Sequence, residues 1–316
     1  MAFGGRYDRV EDIEQCGVRH GLDLRLSVLN GPKEAFAAIT DPAAGFDAGE
    51  MSISFYMTQR SKLGPDSPLT ALPVWISRAF RHGNVYVRAD SGVKDFADLR
   101  GARIGLAEYG MTMAVWLRGV FADEHGLRPE DIEWYTGRDP AALEDDTVRY
   151  PQGVRIRAAD RSSSLAEQLA RGRLDAVIGA TNSPMLPGTR RLLPDFAASE
   201  REYYGRTGIF PIMHLLVVRT QLLADDPGLA RRIAAAFEDA KAEAMRRLWS
   251  ASVPKVTLPW LLAAVEEHVA LMGEDYWPYG VAANLPTLEA LRRYMREQGL
   301  IWDDLPLGDY FDGGVE

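Results

Sequence analysis

Cysteine is almost absent from this chain of 316 residues, with Cys16 as its single example. One thiol cannot form a disulfide within the chain, and it cannot build a cysteine-based metal cluster. This cysteine usage fits a reducing compartment.

Long apolar runs and an excess of basic residues are also missing. No segment approaches the ~20 apolar residues of a membrane span, and the N-terminal sequence MAFGGRYDRVEDIEQ lacks the basic and apolar segments of a secretion signal. The 36 Lys and Arg against 45 Asp and Glu give a formal charge of −9. These features predict a cytoplasmic protein with neither nucleic acid nor a membrane as a partner. A small anionic ligand would need a local positive pocket.

Strands and helices alternate along the chain, which predicts an α/β protein with parallel sheets covered by helices on both faces. At this length, two lobes are the default. The expected lobes are residues 1–87 together with 207–316, and residues 88–206. Two strands, Asn84–Val87 and His214–Val218, are expected to carry the chain out of the first lobe and back, leaving a ligand cleft between the lobes. C-terminal helices are predicted at Asp226–Trp249, Pro259–Met272 and Thr287–Gln298.

A strand-to-helix turn lies between Arg103–Leu106 and an apolar helix that begins near Met113. Thr112 is placed to cap that helix, where unpaired N–H groups and the helix dipole together favour an anion. The turn therefore fits a carboxylate site. In the alternative, Thr112 only caps the helix and Arg118 is solvated on its far face.

Polar residues elsewhere are candidates for the same cleft. Arg81 and His82 stand between apolar strands, where an unpaired buried charge is costly, so that a pocket for an anion explains them. The alternative for Arg81 and His82 is a basic turn on the surface. His214 lies in an apolar strand, and the alternative to a catalytic role is a histidine packed in the core. Other candidates follow strand ends, either as helix caps or as ligand contacts: Ser52, Ser54, Thr181 and Asn182.

The sequence also contains the segments FRHGNVYV, GLAEYGMTMAVWLRG, FPIMHLLVVR, LPWL and DYWPYGVAANLPTLE. Together they resemble the 4,5-dihydroxyphthalate decarboxylase family, which is built on the type II periplasmic-binding-protein fold. The resemblance extends from Tyr7 to Gly299. It implies two α/β lobes with a ligand cleft between them, and a cytoplasmic enzyme without an organic cofactor. The implied reaction is the non-oxidative loss of a ring carboxylate from a dihydroxylated phthalate to give protocatechuate.

Decarboxylation of an electron-rich ring needs a proton for the carbon that loses the carboxylate. We expect His82 or His214 to transfer that proton, because histidine titrates near neutral pH. Arg81 and Arg118 are expected to hold carboxylates, since the planar guanidinium matches them. Glu108 is expected to orient the catechol hydroxyls or an imidazole. Neutral hydrogen bonds to the substrate are expected from Tyr109, Thr112, Ser52, Ser54 and Asn182. Trp116 or Trp277 is expected to form an apolar wall of the site.

Other functions stay open at this point. The same scaffold serves solute-binding and sensor proteins, which would close on a small aromatic carboxylate without changing it. A decarboxylase or lyase for another aromatic acid is a second alternative. Two histidines and a glutamate would suffice for a divalent metal, but the sequence has no close ligand spacing, and no metal is expected. One interpretation of Trp249, Trp260 and Trp302 is that they form the contact surface of a homo-oligomer. The alternative is that these tryptophans pack in the core.

Overall fold

The computed structural model describes residues 1–137, 150–179, 187–250, 252–253, 255–301 and 305–312. Thr181, Asn182 and Trp302, singled out above, lie outside these ranges. Within them the chain forms two β-sheets flanked by α-helices. None of the helices found in these ranges combines the length and the apolar character that crossing a bilayer requires.

The first sheet contains β1 (Ala2–Phe3), β2 (Ser27–Val28), β3 (Ala48–Ser52), β4 (Leu69–Arg78) and β11 (Ile212–Arg219). Its order is β2-β1-β3-β11-β4. β1 pairs in parallel with β2 and β3, whereas β11 is antiparallel to β3 and β4. The nearly continuous apolar run of β11 suits this position between two strands, where both of its faces are covered.

The second sheet contains β5 (Val85–Arg88), β6 (Arg103–Leu106), β7 (Glu133–Thr136), β8 (Arg155–Ala158), β9 (Ala176–Ile178) and β10 (Thr189–Arg191). Its order is β10-β5-β9-β6-β7-β8. The four strands β6 to β9 are parallel, as predicted, whereas β5 runs antiparallel to both β9 and β10.

The two strands that were expected to cross between lobes each belong to one sheet. β5 pairs with β9 and β10 of the second sheet, and β11 pairs with β3 and β4 of the first. The chain passes between the sheets in residues 79–84 and 192–211 instead. The apolar pattern of a strand does not tell which sheet it joins. The lobe boundaries stay a prediction.

Helices cover both sheets, and the three predicted C-terminal helices are confirmed to within a few residues. The helix after the central turn ends at Gly126, whose left-handed conformation (φ +59°) glycine adopts without strain. The helices are α1 (Ile13–Arg19), α2 (Pro32–Thr40), α3 (Ile53–Leu63), α4 (Thr112–His125), α5 (Leu165–Ala170), α6 (Phe196–Thr207), α7 (Thr220–Asp225), α8 (Leu229–Leu248), α9 (Leu261–Met272) and α10 (Leu285–Glu297).

Helix α4 connects the second sheet with β11 and α10. Trp116 Nε1 donates to the Ile212 carbonyl at 2.9 Å, and the Trp116 ring packs edge-on against Tyr294 at 5.7 Å. Trp116 therefore belongs to the core and not to a substrate-facing wall. A Cβ built on Gly119 would lie 2.2 Å from Tyr294 Cδ2, and this close approach explains a glycine inside a helix.

We expect Gly119→Ala to destabilise the fold by about 1–3 kcal/mol, because Tyr294 must shift to make room. Gly205 in α6 is the matched control, since a Cβ there meets nothing within 4 Å. Gly205→Ala should be neutral or stabilise by up to about 1 kcal/mol. Urea denaturation measures both free energies of unfolding. Equal effects of the two substitutions would show that the contact with Tyr294 does not constrain Gly119.

Candidate active site

Three hydroxyl groups meet where β3 ends and α4 begins. Thr112 Oγ1 lies 2.9 Å from Ser52 Oγ and 2.8 Å from Ser54 Oγ, and Ser54 Oγ donates to the Gly110 carbonyl at 2.8 Å. We call Ser52, Ser54 and Thr112 the hydroxyl cluster. The structure thus brings together three residues that the sequence proposed for substrate binding.

Two helices begin at the hydroxyl cluster. Ser52 caps α3 by accepting from Phe55 N at 3.4 Å. Met111 is the N-cap of α4 and makes no side-chain cap bond, so the prediction that Thr112 caps this helix is wrong. The Thr112 hydroxyl bonds instead to Ser52 and Ser54, because β3 and α3 lie against the start of α4. The positive ends of two helix dipoles therefore lie close together, which favours a carboxylate.

Glu50 and His214 form a hydrogen-bonded pair beside this cluster. His214 is directly opposite Ser52 in the antiparallel β3–β11 register, and Glu50 lies two residues before Ser52. The three side chains therefore share one face of the sheet. His214 Nδ1 is 2.5 Å from Glu50 Oε1, and the side chain of His214 is 19% exposed whereas that of Glu50 is 0% exposed. The imidazole thus separates a fully buried carboxylate from the space outside.

Two further donors hold Glu50 ionised. Tyr7 Oη donates to Glu50 Oε1 at 2.7 Å, and Gly4 N donates to Oε2 at 2.7 Å. Burial alone would raise the pKa of Glu50, but the hydrogen bonds from His214, Tyr7 and Gly4 bring it below its ordinary value. Gly4 must be glycine, because a Cβ there would lie 2.3 Å from Pro32 N.

Tyr7 is positioned by a stack of a guanidinium and an indole. The Arg9 guanidinium carbon lies 4.8 Å from the centre of the Tyr7 ring and 4.3 Å from that of Trp277. Arg9 Nε also donates to the Ile76 carbonyl at 2.9 Å. Trp277 was expected to form an apolar wall beside the substrate. In the structure it supports Arg9, and through Arg9 the tyrosine that binds Glu50.

Arg81 and His82 have other surroundings. His82 is 4% exposed, packs on Tyr203 at 5.1 Å, and lies 3.9 Å from Glu200 Oε1, which is too long for a hydrogen bond. Arg81 Nε lies 3.2 Å from Met213 Sδ. His82 lines instead a cavity together with Phe96, His125 and Arg206, and His214 is not among its lining residues. The reason is that residues 82–84 turn towards the second sheet and pack against α6.

Arg118 is buried in the protein core, so the alternative of a solvated side chain is wrong. Its Nη2 donates to the Tyr109 carbonyl at 2.6 Å and its Nε to Gln298 Oε1 at 2.7 Å, and its guanidinium carbon lies 3.8 Å from the centre of the buried Tyr109 ring. In the same turn, the Glu108 carbonyl accepts from Met111 N at 3.3 Å. Arg118 and Tyr109 therefore fix the turn that presents Thr112.

Sequence reasoning missed Glu50 and Tyr7. For Glu50 a signal was present, because a carboxylate inside the short apolar strand AGEMS requires buried partners. Tyr7 lies outside the strands and gave no such signal. The metal alternative combined two histidines with a glutamate, and the structure separates His82 from the Glu50–His214 pair. Among the described residues, no three His, Cys, Asp or Glu side chains group in a way that would hold a metal ion.

Burial, with smaller contributions from His125 and Arg206, lowers the pKa of His82 from 6.5 to about 4. Between pH 6.5 and about pH 4, His82 binds a proton in the unfolded chain but not in the folded protein. The free energy of unfolding therefore falls as the pH drops. We expect His82 to account for a loss of up to about 3 kcal/mol between pH 7 and pH 4. His82→Leu should remove this part of the pH dependence of urea denaturation, whereas the control His268→Leu, on the exposed side of α9, should retain it. Identical pH slopes in wild type and His82→Leu would contradict the assignment.

No protein-family profile matches the chain. Two curated relatives do match it. The 4,5-dihydroxyphthalate decarboxylase of Comamonas testosteroni is 36% identical over 303 residues, which cover 94% of this chain and 91% of the relative. The 4,5-dihydroxyphthalate decarboxylase of Pseudomonas putida is 36% identical over 178 residues, which cover 55% of this chain and 67% of the relative.

Solved structures share the fold at low sequence identity. The periplasmic sulfonate-binding protein SsuA of Methylobacillus flagellatus superposes with a TM-score of 0.52 at 13% identity, covering 96% of this chain and 84% of its own. The C27S mutant of the desulfurization enzyme DSZB, solved with biphenyl-2-sulfinic acid, gives 0.51 at 17% identity, covering 99% and 96%. These structures confirm a periplasmic-binding-protein-like α/β fold. The match to the Comamonas protein along nearly its whole length shows that the chain belongs to the 4,5-dihydroxyphthalate decarboxylase family, a family of carboxy-lyases.

Proposed function

We propose that this protein decarboxylates 4,5-dihydroxyphthalate to protocatechuate in the cytoplasm, without an organic cofactor. The observation that carries the proposal is the Glu50–His214 pair, which sets a partly exposed imidazole beside the hydroxyl cluster. The similarity to curated decarboxylases supports the choice of substrate. The same scaffold carries other chemistries, so these residues and not the fold support the activity.

His214 is the proposed proton donor. Its Nδ1 faces Glu50, so Nε2 is the ring nitrogen left for the substrate. The imidazolium gives the Nε2 proton to the ring carbon that bears the departing carboxylate. The bond from that carbon to the carboxylate then breaks, its electron pair returns to the ring, and carbon dioxide leaves. Neutral His214 regains a proton from water, and ionised Glu50 stabilises the imidazolium before transfer.

The hydroxyl cluster is the proposed anchor for the carboxylate that stays on the ring. Ser52 and Thr112 can turn their hydroxyl hydrogens towards an anion, whereas the hydroxyl hydrogen of Ser54 goes to the Gly110 carbonyl. The dipoles of α3 and α4 favour an anion at this point. This differs from the expectation that Arg81 and Arg118 hold the carboxylates. The contacts of Arg118 with Tyr109 and Gln298 favour a role in shaping the turn.

We expect His214→Asn and Glu50→Gln each to lower kcat at least about 100-fold. The first substitution removes the charged proton donor, and the second removes the carboxylate that stabilises it. His268→Asn, an exposed histidine on α9, is the control and should retain full activity. Carbon dioxide and protocatechuate are measured from 4,5-dihydroxyphthalate, with folding checked by circular dichroism. Unchanged kcat in folded His214→Asn would remove His214 from the mechanism.

The wild-type assay separates the alternative functions. Calorimetric binding without carbon dioxide release would favour a solute-binding or sensor protein. Release from another aromatic acid, but not from 4,5-dihydroxyphthalate, would favour a different carboxy-lyase. Loss of activity after chelation, restored by a divalent metal, would show a metal requirement that the proposal does not include.

Thr112→Val should raise KM about 10–100-fold and change kcat less than about twofold, because one hydrogen bond to a charged carboxylate is worth about 1.5–3 kcal/mol. Thr70→Val is the matched control. This substitution also removes one member of a hydroxyl pair, because Thr70 Oγ1 lies 2.8 Å from Thr220 Oγ1. Thr70 lies near the start of β4, whereas His214 pairs with Ser77 near the end of that strand. A KM that stays unchanged in Thr112→Val would place the retained carboxylate elsewhere.

A further inference from the structure

Arg118 is a buried cation that has no anionic partner among the described residues. It is 1% exposed, which makes it the most buried arginine in the described ranges. Its hydrogen bonds go to the Tyr109 carbonyl and to Gln298 Oε1, and its Nη1 is buried without a partner. The partners of this guanidinium are therefore uncharged groups.

A second buried cation shows that the chain neutralises such a charge elsewhere. Lys241 is 3% exposed, and its Nζ lies 2.6 Å from Glu238 Oε1 and 3.1 Å from Asp275 Oδ2. Arg118 lies instead against the face of the Tyr109 ring, 3.8 Å from its centre. An aromatic face holds a cation in place but does not cancel its charge. Burial lowers the pKa of Arg118, yet a guanidinium stays protonated in proteins, so that Arg118 keeps a full positive charge.

The Arg118 guanidinium lies close to the hydroxyl cluster. Its Nη2 donates to the Tyr109 carbonyl at 2.6 Å, and the next carbonyl along the chain, that of Gly110, accepts from Ser54 Oγ at 2.8 Å. Successive carbonyl oxygens of a chain are at most roughly 5–6 Å apart, so Arg118 Nη2 lies within about 11 Å of Ser54 Oγ. Two unit charges at this distance in a protein change a binding constant about 10-fold.

The burial of Arg118 preserves this effect. Water and salt screen the charge of an exposed arginine, whereas they screen a buried charge much less. The carboxylate that stays on the ring keeps its charge while the other carboxylate leaves. The attraction of Arg118 for the retained carboxylate is therefore similar in the bound substrate and in the transition state. Such an interaction lowers KM and leaves kcat nearly unchanged.

We propose that Arg118 is a specificity-determining residue, which favours anionic over uncharged aromatic ligands at the hydroxyl cluster through its electrostatic field. It does so without contacting the ligand, because neutral partners hold its guanidinium in the protein interior. The proposal rests on the proposed function for the place of the retained carboxylate.

Gln298→Glu tests the proposal because it supplies the counter-charge that Arg118 lacks, at the position 2.7 Å from its Nε. Calorimetry measures the Kd of phthalate, a dianion at neutral pH, and of phthalamide, its uncharged diamide. Gln298→Glu should raise the Kd of phthalate about 10-fold and that of phthalamide less than about twofold. Arg118→Met, which removes the charge, should act in the same way. Arg118→Lys, which keeps the charge, should retain phthalate binding within about threefold.

Arg293→Met is the matched control. It removes the same charge, but from a side chain on α10 that is 47% exposed and paired with Asp123, so phthalate binding should change less than about twofold. Circular dichroism checks the folding of each variant, and either Gln298→Glu or Arg118→Met is sufficient for the test. Equal weakening of phthalate and phthalamide would show a distorted turn and overturn the proposal. Unchanged phthalate binding, or a wild type that binds no phthalate, would also overturn it.

The outcome can be separated from that of the proposed function. A wild type that binds phthalate with this charge dependence but releases no carbon dioxide would support the role of Arg118 and contradict the decarboxylation. With 4,5-dihydroxyphthalate as substrate, Gln298→Glu should raise KM about 10-fold and change kcat less than about twofold. Turnover with an unchanged KM in Gln298→Glu would contradict only the role of Arg118.

Discussion

The candidate active site depends on one buried carboxylate. Glu50 has no exposed surface, and a carboxylate in such a place is stable only when hydrogen-bond donors surround it. Its donors come from separate segments, Gly4 and Tyr7 near the N-terminus and His214 in β11. They meet because β3 lies between β1 and β11 in the first sheet. The strand order of this sheet therefore also determines that the Glu50 carboxylate is ionised.

The hydroxyl cluster could be found from the sequence because its signals are local. A serine at the end of a strand and a threonine at the start of a helix mark a sheet edge, whatever the rest of the chain does. Tyr7 and His214 are different, since they bond to Glu50 across 43 and 164 positions of sequence. Their meeting follows from strand pairing, which periodicity does not specify. The strand containing His214 was predicted, but its neighbours in the sheet were not.

The arginines show that a buried cation can find partners within the protein. A buried cation needs compensation, and the sequence reasoning supplied a bound anion. In the structure the Arg118 guanidinium contacts a carbonyl, an amide oxygen and the face of Tyr109, and Arg81 contacts the sulfur of Met213. Guanidinium groups accept such partners because they are planar and weakly hydrated. An arginine between apolar strands therefore indicates a partner but does not show that the partner is a ligand.

In the candidate active site, neutral donors form the hydroxyl cluster and the charged groups form the Glu50–His214 pair. This arrangement suits the proposed reaction. The described contacts of the hydroxyl cluster are with hydroxyls, a carbonyl and backbone N–H groups. A hydroxyl donor gives the retained carboxylate a hydrogen bond worth about 1.5–3 kcal/mol without setting a second full charge beside it. A strong charged contact to the departing carboxylate would stabilise the bound substrate as much as the transition state, with no gain in rate. In the proposed mechanism the strong electrostatic contact lies instead between Glu50 and His214, where it holds the proton that the ring must receive.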